Sequence, residues 1–308
     1  MSITNVSLID AETRERFVKL RMPFKFGIVT LREAPQLFLS VRIRLDNERE
    51  GQGIAAEMLA PKWFDKNPNL TNEENFQQLR DAVRIAVDLY LDAGEAVPAF
   101  QLHAQLEQAH LDACAKQGLN PLVAGFGTAL LDRAIIDAIG RLQGQSIFTM
   151  VRNNTLGIDN KSAPDLGNFD LPQFFKSLLP ADSIAVRHTV GLVDAITEAD
   201  IQSVDRVDDG LPESLEAAIK TYGLSFFKLK VSGDIDADLD RLRRISNVLD
   251  RSSDKYFATL DGNEQYESVE PVVELWKQIS EDPSLTRLRD SILFIEQPIM
   301  RTKALEQN

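Results

Sequence analysis

The chain has 308 residues, of which 44% are hydrophobic and 26% are charged, an ordinary balance for a globular protein of one or two domains. Its net charge is −13, from 47 acidic and 34 basic residues, which argues against nucleic acid as a partner because phosphate binding needs a basic face. No apolar run approaches the roughly 20 residues that cross a bilayer, so we expect no membrane partner.

The cysteine content and the N-terminus indicate the compartment. Cys114 is the one cysteine, so no intramolecular disulfide can form, and we expect a small buried side chain rather than a catalytic thiol. The first residues, 1–6, lack the basic and apolar regions of a signal peptide. We therefore predict a cytoplasmic protein.

Residues 1–60 have the pattern of β-strands. Apolar and polar residues alternate over residues 37–45, which predicts a half-buried antiparallel strand. We expect an earlier strand at 26–31, separated from it by a turn near residues 33–35. A third strand is predicted from Gly51-Gln52-Gly53 onwards. We interpret this Gly-x-Gly as a turn or bulge, because it lacks the third glycine and the helix of a phosphate site.

Residues 72–143 have the pattern of three helices. The first is predicted to begin at Thr71 or the next residue, with Glu74 completing a capping box. The second spans about residues 99–116 and the third about 122–140.

Four polar residues on the second and third helices are candidates for chemistry. His103 and His110 would lie about 10 Å apart, too far to share one metal, so we expect surface or packing roles. Asp132 and Asp137 are expected to pair with a neighbouring arginine or to face solvent.

After a loop-rich stretch with a short helix near residues 171–179, strands and helices alternate. Strands are predicted at 184–190, 226–231, 256–260 and 291–295, with helices at 211–222, 235–249 and 269–279. Repeats of about 33–40 residues indicate a parallel sheet covered by helices. We divide the chain into an α+β domain at 1–145, a linker at 146–182 and a β/α domain at 183–308.

Polar residues follow three of these predicted strands where each strand ends. Lys228 and Lys230 end one strand, Asp261 and Asn263 follow the next, and Glu296 follows the last. The carboxyl ends of parallel strands meet at one edge of a sheet or at one mouth of a barrel, where active sites lie. We expect these side chains to converge there.

This combination suits the removal of a proton from the carbon next to a carboxylate. Side chains two apart in a strand share a face, so Lys228 and Lys230 would repel each other, and repulsion and burial both favour the neutral amine that acts as a base. The alternative is a solvated Lys-Leu-Lys on an exposed strand. Two carboxylates suit Mg²⁺, which would stabilise the enediolate that a small carboxylate substrate becomes.

The order Lys-x-Lys, Asp-x-Asn and Glu-Gln-Pro at these spacings resembles the enolase superfamily, in its mandelate racemase/muconate lactonizing enzyme branch. Residues 129–144 are similar to the helix that ends the capping domain of that branch. Residues 187–191 resemble its first barrel strand. The resemblance covers nearly the whole chain.

The resemblance implies an α+β N-terminal capping domain followed by a (β/α)8-type, TIM-like barrel, of which about the first four βα units are present. It implies that Lys230 is the acid/base and that Lys228 lowers its pKa or touches the substrate carboxylate. Asp261 and Glu296 would be two of three Mg²⁺ ligands. Asn263 would orient a ligand or touch the metal through water, and His188 would at most contact the substrate.

The resemblance also implies that two capping loops select the substrate, and four residues in them are candidates: Phe24, Phe26, Met58 and Trp63. The third metal ligand and the opposing base belong to later strands. We therefore expect the chain to be the N-terminal portion of a racemase, cycloisomerase or dehydratase, with residues 305–308 in the fourth barrel helix. We also expect a homo-oligomer.

Two other interpretations remain. The chain could be a truncated, catalytically inactive barrel fragment that serves as a binding or scaffold protein by pairing its open edges in an oligomer. It could instead be an unrelated sugar or phosphate enzyme, although no glycine-rich phosphate loop follows a strand.

Overall fold

The computed structural model describes residues 3–26, 29–161, 163–252 and 254–305. The chain divides into two compact units. The N-terminal unit comprises Met1–Lys19 and Glu33–Asp182, and the C-terminal unit comprises Leu20–Arg32 and Ser183–Asn308.

An antiparallel sheet opens the chain, with strand order β3-β2-β1-β4. Its strands are β1 (Asn5–Phe26), β2 (Val29–Leu45), β3 (Glu50–Met58) and β4 (Val97–Pro98). The predicted burial along residues 37–45 is confirmed, since the alternate residues Leu37, Leu39, Val41, Ile43 and Leu45 are all buried.

The turn predicted near residues 33–35 is wrong, because β2 runs unbroken through it. Pro35 lies one residue before the paired register of β2 with β3 begins, at Gln36, so it is outside that hydrogen-bond ladder. The Pro35 carbonyl instead accepts a hydrogen bond from the backbone N–H of Leu59 at 2.9 Å.

Gly51 and Gly53 form neither a turn nor a bulge; both lie in regular pairing with β2, opposite Ile43 and Val41. The reason for glycine is the close approach of the third helix. A Cβ on Gly53 would lie 2.1 Å from the carbonyl oxygen of Ala134. Absence of a side chain therefore allows the helix to pack directly on the strand.

The helices of the N-terminal unit are α1 (Asn72–Asp92), α2 (Ala99–Lys116), α3 (Pro121–Gln143), α4 (Ile147–Arg152) and α5 (Leu171–Ser177). The predicted capping box at Thr71 and Glu74 is confirmed. Helix α3 packs on both β3 and α1, which explains why it is the most apolar of the three long helices. The short helix α4 was missed.

Polar side chains on these helices have structural partners. His103 Nδ1 lies 2.7 Å from Asp132 Oδ2, so Asp132 pairs with a histidine rather than with the predicted arginine or solvent. Asp137 pairs with Arg141, as predicted, at 2.7 Å. His110 is buried and its Nε2 lies 2.9 Å from the carbonyl oxygen of Ala124. Cys114 is buried, as predicted.

The C-terminal unit alternates strands and helices, as predicted. Its elements are β5 (Arg187–Val190), α6 (Leu215–Tyr222), β6 (Phe226–Lys230), α7 (Ile235–Ser252), β7 (Phe257–Asp261), α8 (Val269–Glu281), α9 (Thr286–Ser291) and β8 (Ile292–Glu296). The four strands form one parallel sheet in the order β5-β6-β7-β8. Phe227, Leu229 and Leu260 are fully buried in its core.

Two elements in this unit begin several residues later than predicted. Strand β5 begins only at Arg187, and the apolar residues before it, Ile184 and Val186, are 89% and 67% exposed. Helix α6 begins later than predicted because the Ser214 hydroxyl caps it by accepting from the backbone N–H of Ala217. Of the residues 305–308 that were expected in a fourth barrel helix, only Leu305 is described, where the chain forms a turn, and 306–308 lie outside the described residues, so that expectation stays a prediction.

Among the residues that the structure describes, no helix combines the length and the apolar character needed to cross a membrane.

The contact between β3 and α3 predicts the effect of enlarging Gly53. We expect Gly53→Ala to lower the free energy of unfolding by about 1–3 kcal/mol, because the backbone of α3 must move to admit the methyl group. Gly125, exposed on the same helix, has no atom within 4 Å of a Cβ position. Gly125→Ala should therefore stabilise by about 0.5–1 kcal/mol. Urea denaturation measures both, and equal effects would contradict the packing argument.

The His103–Asp132 pair predicts a pH-dependent contribution to stability. The hydrogen bond with Asp132 raises the pKa of His103 against the opposing effect of burial. Stabilisation from a histidine whose pKa is raised by folding is complete below its unfolded pKa of about 6.5 and is lost as pH rises through the folded value.

We therefore expect His103→Gln to lower the melting temperature more at about pH 5 than at about pH 9. Subtracting the variant from the wild type at each pH removes the contributions of the other titrating groups. A difference that is flat, or that grows with pH, would show that the ion pair does not stabilise the fold.

Candidate active site

Five polar side chains are brought together at the carboxyl ends of β6, β7 and β8. The parallel register places Lys230 beside Asp261, and Asp261 beside Glu296. Lys228 lies two residues before Lys230 and shares its face of the sheet. Asn263 follows β7 directly. The expected convergence of the three sequence motifs is thus observed within one unit.

The lysines and carboxylates form a continuous network of ion pairs. Lys230 Nζ lies 2.5 Å from Asp261 Oδ2 and also donates to Asn263 Oδ1 at 2.5 Å. Lys228 Nζ lies 2.7 Å from the same Asp261 oxygen and 2.9 Å from Glu296 Oε2. Asp261 is therefore shared by both amines, and Lys228 bridges the two carboxylates.

Burial distinguishes this cluster from a solvated surface. Lys230 is 4% exposed and Asp261 is fully buried, so the alternative of an exposed Lys-Leu-Lys is wrong for Lys230. Charged groups that are buried away from water must be paired, and Asp261 is the charged partner of both lysines. The Lys228 side chain, at 18% exposed, is nearer to solvent.

The two lysines differ in their proton affinity. Burial is the largest influence on Lys230 and lowers its pKa, although Asp261 opposes it. For Lys228, burial is again the largest influence, but the hydrogen bonds to Asp261 and Glu296 together outweigh it and raise the pKa. The prediction that both amines are driven towards the neutral form is therefore wrong for Lys228, which has two carboxylate partners.

The two carboxyl groups are both held in the ionised form. Burial opposes ionisation of Asp261, but the hydrogen bonds from Lys228 and Lys230 lower its pKa overall. Glu296 shows the same balance, with Lys228 as its main stabilising partner, so its pKa is also lowered.

The loops after β7 and β8 are joined by backbone hydrogen bonds. The N–H of Gly262 donates to the Glu296 carbonyl at 3.1 Å, and the N–H of Glu264 donates to the Gln297 carbonyl at 2.7 Å. A Cβ on Gly262 would lie 2.7 Å from the Cα of Pro298. The glycine after Asp261 is thus needed for the two strand ends to approach, which fixes the spacing of the two carboxylates.

Two residues that the sequence did not single out complete the surroundings of Glu296. Arg187 Nη1 donates to Glu296 Oε1 at 2.8 Å and to the Thr259 hydroxyl at 3.0 Å. The Thr259 hydroxyl donates to the same Oε1 at 3.1 Å. Thr259 lies two residues before Asp261, so the alternation of side chains along the strand could have predicted that it shares the face of Asp261. The contact of Arg187 could be predicted only from the register of the whole sheet.

His188 is not brought to the lysines. The register pairs it with Phe227, whose side chain alternates to the face opposite Lys228. Burial lowers the pKa of His188, with Asp194 opposing the effect. Its side chain thus lies on the side of the sheet that the helices cover, and nothing in its placement supports the predicted substrate contact.

The four candidate specificity residues are placed in different parts of the chain. Phe24 is half-buried on β1, and Met58 is half-buried at the end of β3. Trp63 is 44% exposed. The side chain of Phe26 lies outside the described residues. Their role in substrate selection stays a prediction.

The residues present fit a hard divalent cation in part. Asp261 and Glu296 offer carboxylate oxygens from adjacent strands, and the Lys228 ammonium, a cation in contact with both, shows that their oxygens face one point. Among residues 3–26, 29–161, 163–252 and 254–305, no group of three or more His, Cys, Asp or Glu side chains could hold a metal ion. These residues would therefore supply two ligands.

Comparison with protein-family models gives no match, and comparison with curated proteins gives none. Solved structures do match. A mandelate racemase/muconate lactonizing protein from Herpetosiphon aurantiacus aligns over 96% of this chain with 18% identity and a TM-score of 0.59. A muconate lactonizing enzyme from Pseudomonas fluorescens complexed with muconolactone aligns over 96% with 17% identity and a TM-score of 0.58.

A third structure, an enolase from Bradyrhizobium complexed with magnesium and mandelic acid, aligns over 97% of the chain with 17% identity and a TM-score of 0.56. The chain spans 62%, 61% and 63% of the lengths of these three proteins, in the order given. At this level of identity the likeness establishes the fold. The resemblance to the enolase superfamily is thereby confirmed as a shared fold.

Proposed function

We propose that this chain supplies part of the active site of a Mg²⁺-dependent enzyme that removes the proton next to the carboxylate of a small substrate. The observation that carries the proposal is the convergence of Lys228, Lys230, Asp261 and Glu296, with amine-to-carboxylate distances of 2.5–2.9 Å. The reaction class is that of a racemase, epimerase, cycloisomerase or acid dehydratase, and the chain is an isomerase or a lyase.

The two lysines would have different roles in the reaction. Lys230 is buried, which disfavours its ammonium form, and contacts with Asp261 and Asn263 hold Nζ in one position. It is therefore the residue suited to take the proton. Lys228 keeps its charge through two carboxylate partners and lies nearer to solvent, so it is suited to bind the carboxylate of the substrate.

A bound Mg²⁺ would stabilise the negative charge that develops on the substrate as the proton leaves. Asp261 and Glu296 would hold it, through oxygens that Lys228 now neutralises. The fold comparison supports this proposal, because one of the matching structures contains both magnesium and mandelic acid. The remaining metal ligands and an opposing base would come from residues outside those described.

Removal of the Lys230 amine tests the assignment of the base. We expect Lys230→Met to slow exchange of the α-proton for deuterium by about 100-fold or more, since a positioned base contributes about that much. Proton NMR in D₂O with Mg²⁺ follows exchange over a panel of α-substituted carboxylates and dipeptides. Lys220, exposed on α6, provides the matched control Lys220→Met, which should exchange as the wild type does.

If Lys230→Met exchanged at the wild-type rate, Lys230 would not be the base. If the wild type exchanged the α-proton of no acid in the panel, the proposed reaction itself would be wrong.

Metal binding is tested separately from catalysis. We expect the wild type to bind Mg²⁺ in isothermal titration calorimetry and to melt at a higher temperature when Mg²⁺ is added. Glu296→Gln should weaken binding by about tenfold or more, because it removes the charge of one ligand. Glu281→Gln, at the exposed end of α8, is the matched control. Equal affinities in the two variants would exclude Glu296 as a ligand.

A further inference from the structure

Glu296 is held differently from Asp261, although both end adjacent strands. Asp261 is fully buried and bonded to two lysines, whereas the Glu296 side chain is 23% exposed and longer by one methylene. A glutamate has three rotatable side-chain bonds, so its carboxylate keeps one orientation only if partners fix it. Those partners contact Oε1 of Glu296.

We infer that Arg187 and Thr259 are positioning residues that clamp Oε1 of Glu296, so that Oε2 stays directed at the point shared with Asp261. This inference rests on the proposed function, in which Glu296 is a metal ligand, and goes beyond it by naming the residues that orient that ligand. Neither residue belongs to the Lys-x-Lys, Asp-x-Asn or Glu-Gln-Pro motifs.

The clamp is a closed ring of three hydrogen bonds. Arg187 Nη1 contacts Glu296 Oε1 at 2.8 Å and Thr259 Oγ1 at 3.0 Å, and Thr259 Oγ1 donates to Glu296 Oε1 at 3.1 Å. Because the threonine hydroxyl accepts from arginine and donates to glutamate, its own proton is directed at Oε1. Each member of the ring therefore orients the other two.

The two oxygens of the Glu296 carboxylate have different partners, and this difference indicates what the clamp does. Among the residues that the structure describes, Oε1 receives both clamp donors, whereas Oε2 receives one donor, Lys228 Nζ at 2.9 Å, which also contacts Asp261. Oε2 is thus the oxygen that faces the second carboxylate. Hydrogen bonds to the non-coordinating oxygen of a carboxylate ligand fix its orientation, and removing such partners typically weakens metal binding by about 10–100-fold.

Arginine suits this position better than lysine. One Nη atom carries two N–H groups in a fixed plane, and Arg187 on β5 uses Nη1 to reach Thr259 across one intervening strand and Glu296 across two. The Arg187 side chain is 40% exposed, so its replacement leaves no buried cavity. Thr259 is 2% exposed, and valine retains its shape without the hydroxyl.

The test is calorimetric titration of Mg²⁺ into the wild type, Arg187→Met and Thr259→Val, with no substrate and no turnover. We expect each variant to bind Mg²⁺ about 10-fold or more weakly than the wild type. Arg243→Met is the matched control, because Arg243 forms an arginine–carboxylate pair of similar length, 2.7 Å to Asp282, elsewhere in the same unit. It should bind Mg²⁺ as the wild type does.

Two further variants separate orientation from general stability. Arg187→Lys retains a charged donor but not the planar guanidinium, so it should restore affinity in part. The double variant Arg187→Met/Thr259→Val should lose less affinity than the product of the two single losses, because either substitution opens the same ring. Melting temperatures without metal are measured beside each titration.

Three results would overturn the inference. Unchanged Mg²⁺ affinity in Arg187→Met and Thr259→Val with lowered melting temperatures would give them a structural role only. Tighter binding in Arg187→Met would make the guanidinium a competitor of the metal. If neither the wild type nor any variant bound Mg²⁺, the proposed metal site would fail and the clamp with it, an outcome distinct from the first two.

Discussion

The buried carboxylate of Asp261 is the group on which the site depends. It accepts hydrogen bonds from the side chains of Lys228 and Lys230 and from the backbone of Asn263, so it offsets two amines that would otherwise be unpaired in the interior. The register of β6 and β7 follows from this requirement. A slip of one residue would turn Asp261 to the face that the helices cover and leave both lysines without it.

The same network explains why two lysines in one strand have different properties. Lys230 is deeper and has one carboxylate partner within the described part of the chain, so the loss of hydration dominates and its pKa falls. Lys228 lies between two carboxylates and closer to water, so the favourable contacts dominate and its pKa rises. Two side chains of the same type thus differ in proton affinity because their surroundings differ: the pKa of Lys230 is lowered and that of Lys228 is raised.

Much of the fold could be predicted because local signals decide it. The capping box at Thr71 and the apolar strands that end in Asp261 and Glu296 follow from short stretches of sequence. What could not be predicted depends on residues far apart in the chain. The sequence around Gly53 indicates a turn, and only the packing of α3 on β3 explains the glycine. The sequence around Arg187 indicates a short strand, and only the folded sheet shows its contact with Glu296, 109 residues later.

The position of Glu296 explains why side chains rather than backbone must orient it. The backbone bonds from Gly262 and Glu264 fix where the strand ends, but they do not fix a side chain with three rotatable bonds. Asp261, between two paired strands, is oriented by its neighbours on both sides. The donors on Glu296 Oε1 come from within the sheet, where Arg187 lies on β5 and Thr259 on β7.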